Sequence, residues 1–179
     1  MFLAYRCPAA AELGRSAKEG LWVAKSPKNS SQRIPSVLAG VAGEYFVAAE
    51  LSRRGYIASI SLRNTRGIDI LVTNASASRT VTIQCKTTQR SKKAWVLSDK
   101  SESFYSPTHF YVFVVLGNLD ERPSFHIVPS ETVARWVVED HRKWLSTPGR
   151  NGQPHTDNPV RRFVDSSDDY LERWDLLGL

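Results

Sequence analysis

The sequence predicts an α/β fold with a mixed central sheet. Two observations carry this prediction. A helix with an apolar stripe precedes several short β-type segments, and a second helix follows the last of them. The order along the chain is helix, three strands, a connection, two further strands and a helix. Because helices must cover a sheet that is apolar on its faces, this order is typical of an α/β sandwich.

The first helix is predicted over residues 36–54, with Ser36 as its N-cap and Gly55 as its stop. Apolar residues recur in it at three- and four-residue steps. We expect the buried stripe to comprise Val37, Val41, Tyr45, Ala48 and Leu51.

The β-type segments are predicted at residues 56–62, 68–73, 80–86, 109–116 and 124–128. The near-continuous hydrophobicity of 109–116 indicates a strand covered on both faces. A helix should run from 130 to about 144 with Ser130 as N-cap, followed by a loop over 146–160 and a short helix over 167–177.

Length and composition bound the class of protein. The 179 residues, 41% hydrophobic and 23% charged, suit one globular domain. We expect residues 1–34 to form a partly flexible extension and 35–179 a single domain. No apolar run approaches the roughly 20 residues that cross a bilayer. Cys7 and Cys85 form neither a metal-ligand pair nor a disulfide framework, which fits a reducing, cytoplasmic compartment.

Strand alternation separates the polar and apolar side chains of the third β segment. Gln84 and Lys86 share one face, and Ile83 and Cys85 share the other. Asp69 interrupts an otherwise hydrophobic segment, where a carboxylate usually has a partner. If these two strands are antiparallel neighbours, Asp69 converges with Gln84 and Lys86.

This set of groups suits a hard divalent cation such as Mg²⁺ or Mn²⁺, which takes oxygen ligands. Asp69 offers a carboxylate, Gln84 a side-chain carbonyl and Cys85 its backbone carbonyl, while Glu44 on the first helix could complete the shell. Lys86 would hold or deprotonate an attacking water and stabilise charge on a phosphate. Alternatively, Asp69 pairs with a nearby arginine, Gln84 satisfies a backbone group and Lys86 ends a strand at solvent.

Residues 43–51, 54–56, 67–72 and 83–87 together resemble the PD-(D/E)XK nuclease superfamily. The resemblance is to the branch of Holliday junction resolvases and Mrr-type restriction endonucleases. The resolvase-like pattern has a helix glutamate before a Gly-aromatic step, matched by Glu44 and Gly55-Tyr56. The Mrr-like pattern has glutamine in the last motif, matched by Gln84-Cys85-Lys86. The resemblance implies a restriction-endonuclease-like three-layer sandwich with helices flanking the sheet.

The net charge of +6 favours a polyanionic partner. Basic residues lie on both sides of the predicted site along the chain, and a solvated basic face is the other interpretation. The residues expected to contact nucleic acid are Arg63, Arg66, Arg90, Lys92 and Lys93.

Together these features predict a metal-dependent endonuclease that hydrolyses DNA phosphodiester bonds, with Lys86, Asp69, Gln84 and Glu44 as its catalytic residues. A homodimer is compatible with this activity because two strands require two cuts. The alternative is a non-catalytic nucleic-acid-binding or protein-interaction module that retains the nuclease fold. Gln84 keeps that alternative open. The commoner pattern of the superfamily has Glu or Asp at this position, so the neutral glutamine gives the metal shell one negative charge less.

Overall fold

The structure, a computed structural model, describes residues 33–62, 67–89 and 93–179. The predicted N-terminal extension therefore lies outside the described residues, apart from positions 33 and 34. In chain order the main elements are α1 (Ser36–Arg53), β1 (Ile57–Ile60), β2 (Ile70–Thr73), β3 (Thr80–Thr88), β4 (Ala94–Ser98), β5 (His109–Val115), β6 (Ser124–Pro129), α2 (Ser130–Ser146) and β7 (Val160–Val164).

The central sheet has five strands in the order β1-β2-β3-β5-β6. Strands β3 and β5 are parallel, and the other neighbours are antiparallel. A parallel pair needs a long crossover, and the connection from β3 to β5 contains β4 and a 3₁₀ helix, Asp99–Glu102. The predicted mixed sheet is confirmed.

Two cores lie on opposite faces of this sheet. On one face, Val47 and Leu51 of α1 pack with Ile83 and Cys85 of β3. On the other face, α2 and the antiparallel pair β4-β7 cover Tyr111 and Phe113 of β5. The predicted α/β sandwich is therefore confirmed, with one difference. The second outer layer contains a two-stranded sheet as well as a helix, and neither β4 nor β7 is among the strands predicted from the sequence.

The predicted apolar stripe of α1 is wrong at two positions. Val37 and Tyr45 are 60% and 65% exposed. The buried residues are Ala39, Gly43, Val47, Glu50 and Leu51. The helix turns this face inward because Gly43 lets it approach β3 closely: a Cβ atom at Gly43 would lie 1.9 Å from Thr87 Oγ1. Backbone proximity, rather than the number of apolar side chains, decides which face is buried.

The predicted N-caps are also displaced. Ser36 and Ser130 are the first residues of their helices, and Pro35 and Pro129 hold the cap positions without a side-chain hydrogen bond. The Ser130 hydroxyl instead donates to the Ser106 carbonyl at 3.1 Å and accepts the Ser106 N–H at 3.0 Å. Ser130 thus fixes the segment that leads from the 3₁₀ helix into β5.

The helix predicted over 167–177 does not form. Asp165 accepts the backbone N–H groups of Asp169 and Tyr170 and so holds this segment as a turn. Positive φ angles at Asp168 (63°) and Glu172 (55°) are incompatible with a continuous helix. Only a 3₁₀ helix, Trp174–Leu177, remains.

A buried carboxylate joins α1 to the rest of the chain. Glu50 forms ion pairs with Arg53, Arg54 and Arg122, and Arg122 also pairs with Glu172 at 3.1 Å. The hydrogen bond from Arg122, above all, lowers the pKa of Glu50 to about 2. The carboxylate is therefore charged at neutral pH. It ties the end of α1 to the β5–β6 connection and to the C-terminal segment.

Within the part of the chain that the structure describes, neither helix is long and apolar enough to cross a membrane.

We predict that Gly43→Ala lowers the free energy of unfolding by about 1–3 kcal/mol, because the added methyl overlaps Thr87. Gly40→Ala is the matched control, since nothing lies within 4 Å of a Cβ atom at that position of the same helix. It should instead raise stability by about 0.5–1 kcal/mol. Urea unfolding of both variants measures the difference, and equal effects would contradict the close approach at Gly43.

Candidate active site

The site lies where β2 and β3 separate. Regular pairing of these strands reaches only Ile70 opposite Ile83. Just beyond this pair, the Asp69 N–H donates to the Ile83 carbonyl at 2.8 Å, and Asp69 Oδ2 accepts the Cys85 N–H at 2.7 Å. A side-chain carboxylate thus takes the place that a backbone carbonyl of β2 would hold in a continuing ladder.

This position orients a second backbone group of Cys85. In an extended strand, the N–H and C=O of one residue point to the same side. Because the Cys85 N–H points toward Asp69, its carbonyl oxygen faces the same gap between the strands. The Asp69 carboxylate and the Cys85 carbonyl therefore border one gap.

Burial raises the pKa of Asp69 above its ordinary value, whereas the Cys85 hydrogen bond and the positive charge of Lys86 lower it. Burial is the largest of these effects. The protein therefore holds this carboxylate where its charge is less stable than in water. A bound cation would relieve that cost.

Gln84 and Lys86 project from β3 toward the face that carries α2. Their register partners on β5 are Tyr111 and Phe113, which belong to the core on that side. Both side chains line a cavity of about 420 Å³ together with Tyr111. Burial, and then the charge of Asp69, raise the pKa of Tyr111 to about 12, so the phenol stays neutral beside the site. The predicted sharing of one strand face by Gln84 and Lys86 agrees with this arrangement.

Glu44 approaches β3 from the opposite side. It is half-buried on α1, next to the Gly43 contact with Thr87. Burial raises the pKa of the Cys85 thiol, and the charges of Asp69 and Glu44 raise it further. Both carboxylates therefore lie within electrostatic range of the same sulfur atom. The structure thus places Asp69 beside Cys85 within electrostatic range of Lys86, Gln84 and Lys86 on the adjoining cavity, and Glu44 on the α1 side.

Of the predicted nucleic-acid contacts, Arg63, Arg66, Arg90 and Lys92 lie outside the described residues. Lys93 is described, and its ammonium forms an ion pair with Asp168. Its contact with nucleic acid stays a prediction.

The outer wall of the cavity was not predicted from the sequence. It is formed by residues from the end of β4, from the 3₁₀ helix Asp99–Glu102 and from the segment just after it, namely Ser98, Lys100, Ser101 and Phe104. The one sequence feature that could have indicated this wall is Phe104, an aromatic residue in a polar segment. Only the crossover that carries β4 over the sheet brings that segment to β3.

A second group of potential metal ligands, also missed, contains His126, Asp165 and Asp168. Its geometry already satisfies these side chains in part. His126 Nδ1 and Asp165 Oδ2 are 2.6 Å apart, and Lys93 pairs with Asp168. Asp165 also accepts two backbone N–H groups. We interpret this group as the contact that holds the C-terminal turn.

No protein-family model and no curated protein matches this chain. The solved structures similar to this chain include the following two. The first is a bacterial homing endonuclease, I-Ssp6803I, with a TM-score of 0.49, 15% identity and coverage of 82% of this chain and 94% of that one. The second is Hjc, a Holliday junction resolvase from Archaeoglobus fulgidus, with a TM-score of 0.46, 14% identity and coverage of 78% and 95%.

We predict that Asp69→Asn raises the free energy of unfolding at pH 7 in the absence of divalent metal. The amide oxygen can still accept the Cys85 N–H, but it carries no charge to desolvate. Because the pKa of Asp69 is raised in the folded protein, the wild type recovers stability as the pH falls through that pKa. The advantage of the variant should therefore shrink toward the ordinary aspartate value of 3.8.

Urea unfolding at pH 7 and at pH 4, in EDTA, measures this difference. Asp99→Asn, at an exposed aspartate, serves as the control for a change of net charge. A loss of stability in Asp69→Asn at pH 7 would contradict the account, because the charge would then favour folding.

Proposed function

We propose that this protein is a metal-dependent endonuclease that hydrolyses DNA phosphodiester bonds. The observation that carries the proposal is the Asp69–Cys85 hydrogen bond. It fixes a desolvated carboxylate and, by strand geometry, a backbone carbonyl at one gap in the sheet. The same strand presents Gln84 and Lys86 to an adjoining cavity.

The donor set at this gap fits Mg²⁺ or Mn²⁺. A carboxylate, an amide oxygen and a backbone carbonyl are all hard oxygen donors, supplied here by Asp69, Gln84 and Cys85. In Asp69, the pKa raised by burial indicates a charge that is not fully compensated. Glu44 would add a second carboxylate from the α1 side. When bound, the cation would polarise a phosphoryl oxygen and make a coordinated water more acidic.

In this proposal Lys86 acts on the attacking water and on the phosphate. It lies on the same strand face as Gln84 and close enough to Asp69 to lower the pKa of that carboxyl. Among the described residues no carboxylate lies within 4 Å of its ammonium, so the group is available to an incoming phosphate. It would orient the attacking water and stabilise negative charge that develops on the phosphate.

The net charge of +6 supports a nucleic acid as the substrate. A homodimer would place two such sites on the two strands of a duplex.

One observation favours a second candidate, a nucleic-acid-binding module without activity. Gln84 stands where a carboxylate would add charge to the metal shell, so the shell holds less negative charge. In that case DNA binding would be sensitive to salt, would need no metal and would survive Asp69→Ala.

We predict that Lys86→Ala lowers Mn²⁺- or Mg²⁺-dependent cleavage of DNA by at least about 100-fold, the size expected for loss of one group that stabilises transition-state charge. The measurement is single-turnover cleavage of linear, branched and single-stranded substrates. Lys143→Ala, which removes an exposed lysine from α2, is the control for the loss of one positive charge.

The variant should remain folded with only a small loss of stability, because Lys86 is half-buried and belongs to neither core, although Asp69 loses a favourable charge. Cleavage by Lys86→Ala at the rate of Lys143→Ala would exclude the proposed role of Lys86. A wild type that binds all three substrates but cleaves none with either metal would support the binding module instead.

A further inference from the structure

The cavity next to Gln84 and Lys86 is larger than a metal site requires. Its volume is about 420 Å³, within the range of pockets that take a small organic ligand. It extends from β3 to the 3₁₀ helix Asp99–Glu102, and Tyr111 and Leu97 close its inner end. The cavity thus begins at the proposed scissile phosphate and continues away from it.

The charges around this cavity are positive. Its lining includes two lysines, Lys86 and Lys100, and no carboxylate from the described residues. Of the two acidic residues near Lys100 along the chain, Asp99 is exposed and does not line the cavity, and Glu102 is bound by Arg161. Lys100 itself has no ion-pair partner among the described residues. Two ammonium groups on one cavity, neither in an ion pair with a described carboxylate, favour an anionic ligand such as a phosphodiester.

The walls between these lysines are aromatic and apolar. Phe104 is 41% exposed, and Tyr111 is buried at the inner end. Phe104 is held in place on two sides: its edge meets His109 with ring centroids 4.9 Å apart, and its ring covers Gly67. An aromatic surface that is fixed at its edge and open to a cavity suits a planar ring.

The wall is fixed by its own hydrogen bonds. The Ser101 hydroxyl donates to the Ser98 carbonyl at 2.6 Å, and the Phe104 N–H donates to the Lys100 carbonyl at 3.0 Å. The two Ser106–Ser130 hydrogen bonds attach the following residues to α2. Because the wall is already ordered, binding would cost little conformational entropy.

We propose that this cavity takes an unstacked nucleobase of the DNA strand, with Phe104 against the base and Lys100 near a phosphate. The proposal rests on the proposed function, since Lys86 holds the neighbouring phosphate. A base inside an intact duplex is stacked on both sides and cannot enter the cavity, whereas an unpaired base enters at little cost. The substrate class is therefore DNA that contains unpaired nucleotides, such as a bulge.

The test is binding in EDTA, so that no cleavage occurs. The probes are two otherwise identical duplexes in which a 2-aminopurine is either bulged or paired. We expect the wild type to prefer the bulged duplex by about tenfold, the order of one base–aromatic stack, with a change in fluorescence of the probe. Phe104→Ala should abolish the preference. Tyr105→Ala, which removes the neighbouring aromatic residue outside the cavity, should keep it.

Two further variants separate base stacking from folding. Phe104→Leu keeps an apolar contact with Gly67 but offers no ring, and it should also lose the preference. Phe104→Trp should retain it. Equal binding of the two duplexes by the wild type, or a preference that Phe104→Leu retains in full, would overturn the proposal.

Adding Mn²⁺ to the same duplexes separates this proposal from the proposed function. Cleavage of both duplexes at one rate, with no binding preference, would leave the nuclease proposal standing and exclude the base pocket. A bulge preference without any cleavage would support the pocket and exclude hydrolysis.

Discussion

The site depends on one hydrogen bond between a side chain and the backbone, from the Cys85 N–H to Asp69. In an antiparallel ladder the next carbonyl of β2 would accept this N–H, and the strands would stay paired. Because a carboxylate accepts it, β2 can diverge while the donor remains satisfied. The divergence leaves the Cys85 carbonyl facing an open gap. Asp69 therefore ends the β2–β3 pairing and also supplies the negative charge of the proposed site.

The rest of the fold holds that gap in place from both sides of the sheet. On one face, Gly43 lets α1 approach Thr87, which brings Glu44 toward Cys85. On the other face, the crossover carries Phe104 onto Gly67, two residues before Asp69. Gly67 has a φ of 66°, and a Cβ atom there would lie 2.8 Å from the Phe104 ring. Two glycines thus permit the close contacts that position the carboxylates.

The free-energy cost of the gap between β2 and β3 falls on one residue, Asp69. Asp69 has its charge in a site where burial disfavours it, whereas Glu50 is buried among three arginines that stabilise its charge. The Glu50 group stabilises the helix end and the C-terminal segment without any need for a ligand. Glu50 thus stabilises the fold by itself, whereas the cost at Asp69 is what the proposed metal ion would offset.

Local alternation predicted the strand faces well, because Gln84 and Lys86 follow a two-residue period that backbone geometry enforces. It could also single out Asp69, since a carboxylate in an apolar strand is conspicuous. The buried face of α1 could not be predicted in this way. Gly43 and Glu50 line it, and their burial depends on contacts with Thr87 and Arg122, far along the chain.

The β4–β7 pair was missed for a related reason. Its strands lie about 65 residues apart in sequence, and each is short, so neither carries enough local signal. The outer wall of the cavity follows β4 and was missed with it. The C-terminal turn was mistaken for a helix because its amphipathic pattern hides the backbone contacts of Asp165.

The most direct test of the central claim is anomalous diffraction from a crystal soaked in Mn²⁺. We predict an anomalous peak in the gap between β2 and β3, coordinated by Asp69, Gln84 and the Cys85 carbonyl. The same soak of Asp69→Asn should show a much weaker peak. A peak at His126, Asp165 and Asp168 with none in the gap would contradict the account, because the gap would then not be the metal site.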